Sequence, residues 1–186
     1  MSQIVFFLEE PSAKEMLNGV LPKILPETMT AKYVVFQGKQ DLEKRLPIRL
    51  KAWQDPNTKF VVMRDQDSGN CVEIKNGLLT KCRDAGKPET LVRIACHELE
   101  AFYLGDLQAV GNALGPTNLG RQQDKAKFRN PDTLNNAAQE LKKLVPSYQK
   151  VSGSRAISPH LDIDNNCSTS FTALIAGVRR LIEDVA

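Results

Sequence analysis

Short, nearly continuous apolar runs alternate along this chain with longer stretches in which apolar residues recur every three or four positions. The runs are Ile4-Val5-Phe6-Phe7-Leu8, Tyr33-Val34-Val35-Phe36, Phe60-Val61-Val62-Met63 and Leu91-Val92-Arg93-Ile94-Ala95-Cys96. Such runs suit strands covered on both faces in a parallel sheet. Between them, Met16, Leu17, Val20, Leu21, Ile24 and Leu25 predict an amphipathic helix from Ser12 to about Leu25, and Ser12-x-x-Glu15 fits a capping box. A polar helix is expected over about 40–51, with Pro47 as a point of interruption. Another is expected over about 70–84, with Val72, Leu78, Leu79 and Cys82 inward. From Glu98 onward, Leu99, Ala101, Phe102, Leu104, Leu107 and Val110 predict one helix or a broken pair.

The later part of the chain is less regular. Residues 115–130 read as a loop, and Pro131 with Asn130 as cap opens a helix to about Leu144. Residues 146–167 read as irregular. Phe171, Leu174, Ile175, Val178, Leu181 and Ile182 mark a final amphipathic helix from Thr169 to Val185. Strands alternating with helices imply an α/β fold: about four mainly parallel strands with helices on both faces. A single domain is expected, with a core over about 1–115 and a basic helical or irregular extension over about 116–186.

Composition narrows the class without naming a function. The 186 residues, 41% hydrophobic and 25% charged, suit one ordinary globular domain. No apolar run approaches the ~20 residues of a membrane span. The start, Met1 to Glu10, has no positively charged leader and reads as a strand rather than a signal peptide. Cys71, Cys82, Cys96 and Cys167 show no Cys-x-x-Cys pairing, which points to reduced thiols and a cytoplasmic location. The net charge is +3, but residues 121–160 carry eight Lys and Arg against three acids. That excess suits a phosphodiester partner, although solvated helix surfaces produce the same pattern.

Candidate chemistry gathers where the strands end. Asp65-Gln66-Asp67-Ser68-Gly69 closes the third run, with two carboxylates spaced i, i+2 that would point the same way in extended backbone. Asp, Ser and Gly are also ordinary turn formers. Glu9 and Glu10 close the first run, and His97, Glu98 and Glu100 follow the fourth. In a parallel sheet these ends share one edge, where ligands bind. Oxygen-only ligands select hard cations, Mg2+ first and Mn2+ second.

A strand-end Glu followed by a strand-end Asp-x-Asp in this α/β order resembles the Toprim domain of topoisomerases, primases and OLD-type nucleases. The residues are Phe7-Leu8-Glu9-Glu10-Pro11-Ser12, Met63-Arg64-Asp65-Gln66-Asp67-Ser68, Cys96-His97-Glu98-Leu99-Glu100-Ala101-Phe102-Tyr103-Leu104-Gly105-Asp106 and Tyr148-Gln149-Lys150-Val151-Ser152-Gly153-Ser154-Arg155. The chain looks closer still to an uncharacterised bacterial Toprim-like family of domains of unknown function. The resemblance implies that Glu9 serves as metal ligand or general acid/base. It implies further that Asp65, Asp67, Glu98 and Glu100 hold Mg2+ (or Mn2+). An ATPase partner of the kind found in bacterial defence systems is implied as well. Toprim domains usually place Gly after the first glutamate; here it is Glu10.

Outside those acids, Lys150 and Arg155 are candidate phosphate contacts, and His160 in Ser158-Pro159-His160-Leu161-Asp162 is a candidate second metal or phosphate contact. His97 reads as a capping or packing residue, Ser12 as a helix cap, and Arg64 as a charge balance for the aspartates. No glycine-rich Lys-Ser/Thr loop is present, so ATP hydrolysis would belong to a partner. The leading expectation is a divalent-metal-dependent phosphodiesterase, a nuclease above all. Its rival is a non-catalytic Toprim-like subunit that binds nucleic acid or a partner. Phosphoryl transfer on a small molecule ranks last, because the Asp pair of haloacid-dehalogenase-like phosphatases follows the first strand. Homo-oligomerisation is left open.

Overall fold

The computed structural model describes residues 2–183. Four parallel strands form one sheet in the order β2-β1-β3-β4: β1 (Ser2–Leu8), β2 (Met29–Val35), β3 (Thr58–Asp65) and β4 (Leu91–Ala95). The expected α/β architecture, a parallel sheet with helices on both faces, is what the chain adopts. β1 and β3 are the interior strands, and the side chains of Ile4 to Leu8 are fully buried. That explains why these two runs carry no polar alternation.

Side chains alternate across the sheet and divide the interior into two cores. Ile4, Phe6, Leu8, Val61 and Met63 face one. It is covered by α1 (Pro11–Val20), α4 (Glu100–Leu104), α5 (Leu107–Leu114), α7 (Ala137–Leu144), α8 (Lys150–Ile157) and α9 (Thr169–Glu183). Val5, Phe7, Phe60 and Val62 face the other, covered by α2 (Lys39–Lys51) and α3 (Cys71–Asp84) through Leu42, Leu46, Leu50, Leu78 and Cys82. Helices that follow residue 115 share the first core with β1: Phe128, Leu141, Tyr148, Ile157 and Phe171 all belong to it.

Several local expectations change. α1 starts at Pro11, one residue early, and the Ser12 hydroxyl bonds Glu10 rather than closing a box with Glu15. α2 runs through Pro47 unbroken. Val72, expected inward, is exposed in the first turn of α3, where Asn70 supplies the cap. The segment after Glu98 is the broken pair α4 and α5. Residues 115–130 contain a 3-10 turn (Leu119–Gln122) and the short helix α6 (Ala126–Arg129) instead of a plain loop. Pro131 opens only a 3-10 turn ending at Thr133, and Asp132 there accepts the Ser170 N–H at 2.6 Å, capping α9.

The largest difference is α8, within a stretch read as irregular, followed by a 3-10 turn over Ser158–His160. α8 lies along α1. At Gly19 of α1 an added Cβ would collide with Ser158 and the Pro159 backbone, so the approach requires glycine. The expected end of the last helix at Val185 lies outside the described residues.

Candidate functional site

The strand order reverses direction between β1 and β3. From β1 the chain turns into α1 on one face, and from β3 it turns into α3 on the other. The two departing loops diverge beyond the carboxyl ends of the strands, where sheets of this kind usually hold a ligand crevice. Glu9 and Glu10 enter it from β1, Asp65 to Asp67 from β3, and Cys96 to Glu98 from β4.

Alternation sends neighbouring acids to opposite sides of the sheet edge. Asp65 follows Val61 and Met63 to the α1–α8 side and meets Glu10 and Glu100 there. Its pKa is driven well above the usual carboxylate range by burial first and then by the charges of Glu10, Glu100 and Glu9. Glu100, in the first turn of α4, is fully buried and is also raised, by burial above all. Its Oε1 accepts the Tyr148 hydroxyl at 3.0 Å. Its Oε2 has no partner, and it is the one buried side-chain oxygen or nitrogen so placed among the described residues. An unmet buried carboxylate oxygen costs about 1–3 kcal/mol or more.

The N-terminus of α8 closes this side. Tyr148 precedes it, and the Gly153 backbone lies against the Tyr148 ring so closely that an added Cβ would collide with it. The Ser154 hydroxyl accepts from Tyr103 and donates to the Lys150 carbonyl, both at 2.6 Å. Lys150 Nζ reaches both Glu10 oxygens at 3.3 Å. Burial lowers the Lys150 pKa, but the charges of Glu100, Glu10 and Asp65 outweigh it and raise the group overall.

The α2–α3 side is satisfied from within. The Arg64 side chain, 4% exposed, donates to the Asp65 carbonyl at 2.9 Å, pairs with Glu43, and lies 3.9 Å from Glu9 Oε2 and from Asp67 Oδ2. Lys39 pairs with Asp67 at 2.7 Å. Glu9 stands between the two sides: its Oε2 accepts the Asp65 N–H at 3.1 Å, and burial raises its pKa more than Arg64 lowers it.

Of the expected site residues, Glu9, Asp65 and Glu100 come together. Asp67 stays on the Arg64 side, where its charge acts on Glu9 but not on Asp65 or Glu100, because β3 ends at Asp65. Asp67 has φ +55°, donates its N–H to the His97 carbonyl at 2.8 Å, and turns its carboxylate to Lys39. His97 has φ +58° and its Nδ1 lies 3.1 Å from the Asp67 carbonyl, so it braces the two loops. Glu98 accepts the Ala138 N–H at 2.8 Å at the start of α7. Arg155 pairs with Glu15 at 2.8 Å, and His160 sits in the 3-10 turn beside the far end of α1, about 12 Å down the helix from Pro11 at 1.5 Å per residue. Half of the basic run is spent internally: Lys127 and Lys143 both hold Glu140, Lys150 holds Glu10, and Arg155 holds Glu15.

Sequence reasoning missed two members of the cluster, Glu10 and Tyr148. Glu10 was visible beside Glu9 at the end of the first apolar run, but as a departure from a glycine it was not counted among the ligands. Tyr148 carried a signal in the quoted Tyr148-to-Arg155 motif. Among the described residues no three His, Cys, Asp or Glu side chains are already arranged around one point as metal ligands. The acids gather as a loose oxygen-only set with one orphaned buried atom, a donor chemistry that suits a hard cation.

Residues 8–179 match the family model described as a domain of unknown function, DUF4276. No curated protein matches the chain. Among solved structures, the C-terminal region of the Burkholderia pseudomallei OLD protein is similar. Its TM-score is 0.54 at 17% identity, over 96% of this chain and 98% of that one. That similarity concerns the fold. Among the described residues no helix is long and apolar enough to cross a membrane.

Proposed function

The chain belongs to the DUF4276 family, and on that premise we propose that it is a divalent-metal-dependent phosphodiesterase of Toprim type acting on nucleic acid. The observation that carries the reading is the buried, unpartnered Oε2 of Glu100, set beside Asp65 at the β1–β3 crevice. Asp65, Glu100 and Glu10 would hold Mg2+ or Mn2+, which, when bound, polarises a phosphate and lowers the pKa of a bound water. Asp67 and Glu98 keep the structural bonds described above.

The chain's own residues supply the rest. Tyr148 fixes Glu100 by donating to Oε1, which leaves Oε2 for the cation. Asp65 N–H fixes one oxygen of Glu9, and the other is left to take up or return a proton at the attacking water. Lys150 gives a point charge for the substrate phosphate. The chain has no phosphate-binding Lys-Ser/Thr loop, so any ATP-driven step, including one in a defence system, belongs to a partner.

Incubation with single- and double-stranded DNA and RNA tests the reading. Cleavage should require Mg2+ or Mn2+, stop with EDTA, and vanish in Asp65→Asn. Cleavage that persists in that variant overturns it. A second reading, a non-catalytic subunit that binds nucleic acid or an ATPase, is favoured by Glu10 standing where Toprim domains carry glycine. Retained binding without cleavage under every divalent metal would select it.

A further inference from the structure

Lys150 occupies a position that helix energetics disfavour. It is the first residue of α8, which has no acid in its first turn, so its positive charge sits at the positive end of the helix dipole. It is nevertheless locked there. Ser154 Oγ holds its carbonyl, Gly153 seats the Tyr148 ring beneath it, and Tyr148 ties the start of the helix to Glu100. On the opposite wall the Ser12 hydroxyl fixes Glu10 Oε1 at 2.5 Å, so Glu10 is held toward the ammonium. Two elements far apart in sequence thus bring a cation to three carboxylates whose charges all act on it.

We infer that Lys150 is the resident cation of the metal-free site: its ammonium and a divalent metal ion exclude each other on Glu10 and the Asp65–Glu100 pair. This rests on the metal-binding reading given above. The half-exposed ammonium balances part of the negative charge but leaves Glu100 Oε2 unmet, so it stabilises the cluster without saturating it. With a divalent ion bound, Lys150 would face like charge and would leave Glu10. The freed Lys150 then faces the crevice, where an anionic substrate meets it. Metal binds first and polyanion second, and the two couple through one side chain.

Mn2+ titration without nucleic acid, by calorimetry or electron paramagnetic resonance, tests this on wild type, Lys150→Met, Lys150→Gln and Lys150→Arg. Both neutral variants should bind Mn2+ about tenfold more tightly than wild type, within the usual span of site coupling. Lys150→Arg should stay within about twofold of wild type on the same scale. In EDTA the neutral variants should melt below wild type, and saturating Mn2+ should close the gap. Equal or weaker Mn2+ binding by the neutral variants, with wild type binding normally, overturns the exclusion while leaving the metal site standing. Absence of Mn2+ binding in wild type overturns both.

Discussion

On the α2–α3 side of the sheet edge, Asp67 meets Lys39 at 2.7 Å and Arg64 spans Glu43, Glu9 and the Asp65 carbonyl. On the α1–α8 side, Asp65 and Glu100 are buried together with one tyrosine donor, one half-exposed lysine and an oxygen that nothing meets. The same residue type, at the last position of β3 and two positions beyond it, therefore ends in opposite states. The first side has internal cations for its acids, and its charges serve the fold. The second is short of positive charge, and burying it without a ligand costs free energy. Acid content alone does not mark a site; unmatched acid content does.

Moving charge on either side should have unequal consequences. Asp65→Asn should have the largest effect, reducing Mn2+ affinity at least ~100-fold. It should also raise metal-free stability by about 1–2 kcal/mol, because a buried carboxyl repelled by its neighbours is replaced by a neutral amide. Calorimetry and thermal melts in EDTA read both. Arg64→Met should act in the opposite sense, costing about 2–3 kcal/mol, since it strands the largely buried Glu9 while leaving Asp65, Glu100 and Glu10 in place. Gly153→Ala should cost about 1–3 kcal/mol through overpacking against Tyr148 and should weaken Mn2+ binding with it.

A pH series sharpens the same contrast. Asp65, Glu100 and Glu9 have folded-state pKa values above their ordinary ones. The stability they contribute is complete below about pH 4 and is lost as pH rises through the folded values. Metal-free melting temperature should therefore carry a downward component across that window. Asp65→Asn should flatten it, and saturating Mn2+ should offset it. Asp67→Asn should have the smallest effect, about 0.5 kcal/mol or less for an exposed pair, with Mn2+ affinity within about threefold of wild type.

Much of the fold was legible because the buried strands of a parallel sheet write themselves as apolar runs. β1, β3 and β4, and the acids at their ends, followed from that alone. α8 was not legible. Its buried face is Gly153, Ser154 and Ile157; the first two pack by closeness and hydrogen bonding, and one large apolar residue makes no hydrophobic period to announce the helix. The i, i+2 reading of Asp65 and Asp67 assumed extended backbone beyond the point where β3 stops, and the positive φ at Asp67 reversed its direction. Glu98 finds its partner forty residues away, at the start of α7, a contact no local pattern encodes. Glu10 shows the limit of reasoning from resemblance: a departure from an expected glycine turned out to be part of the cluster's charge.

The most direct measurement is anomalous diffraction at the manganese edge from crystals equilibrated with Mn2+. A peak is expected among Asp65, Glu100 and Glu10 on the α1–α8 side of the β1–β3 crevice, with Lys150 withdrawn from Glu10. A peak held by Asp67 on the Lys39–Arg64 side, or no peak at the sheet edge, would contradict it.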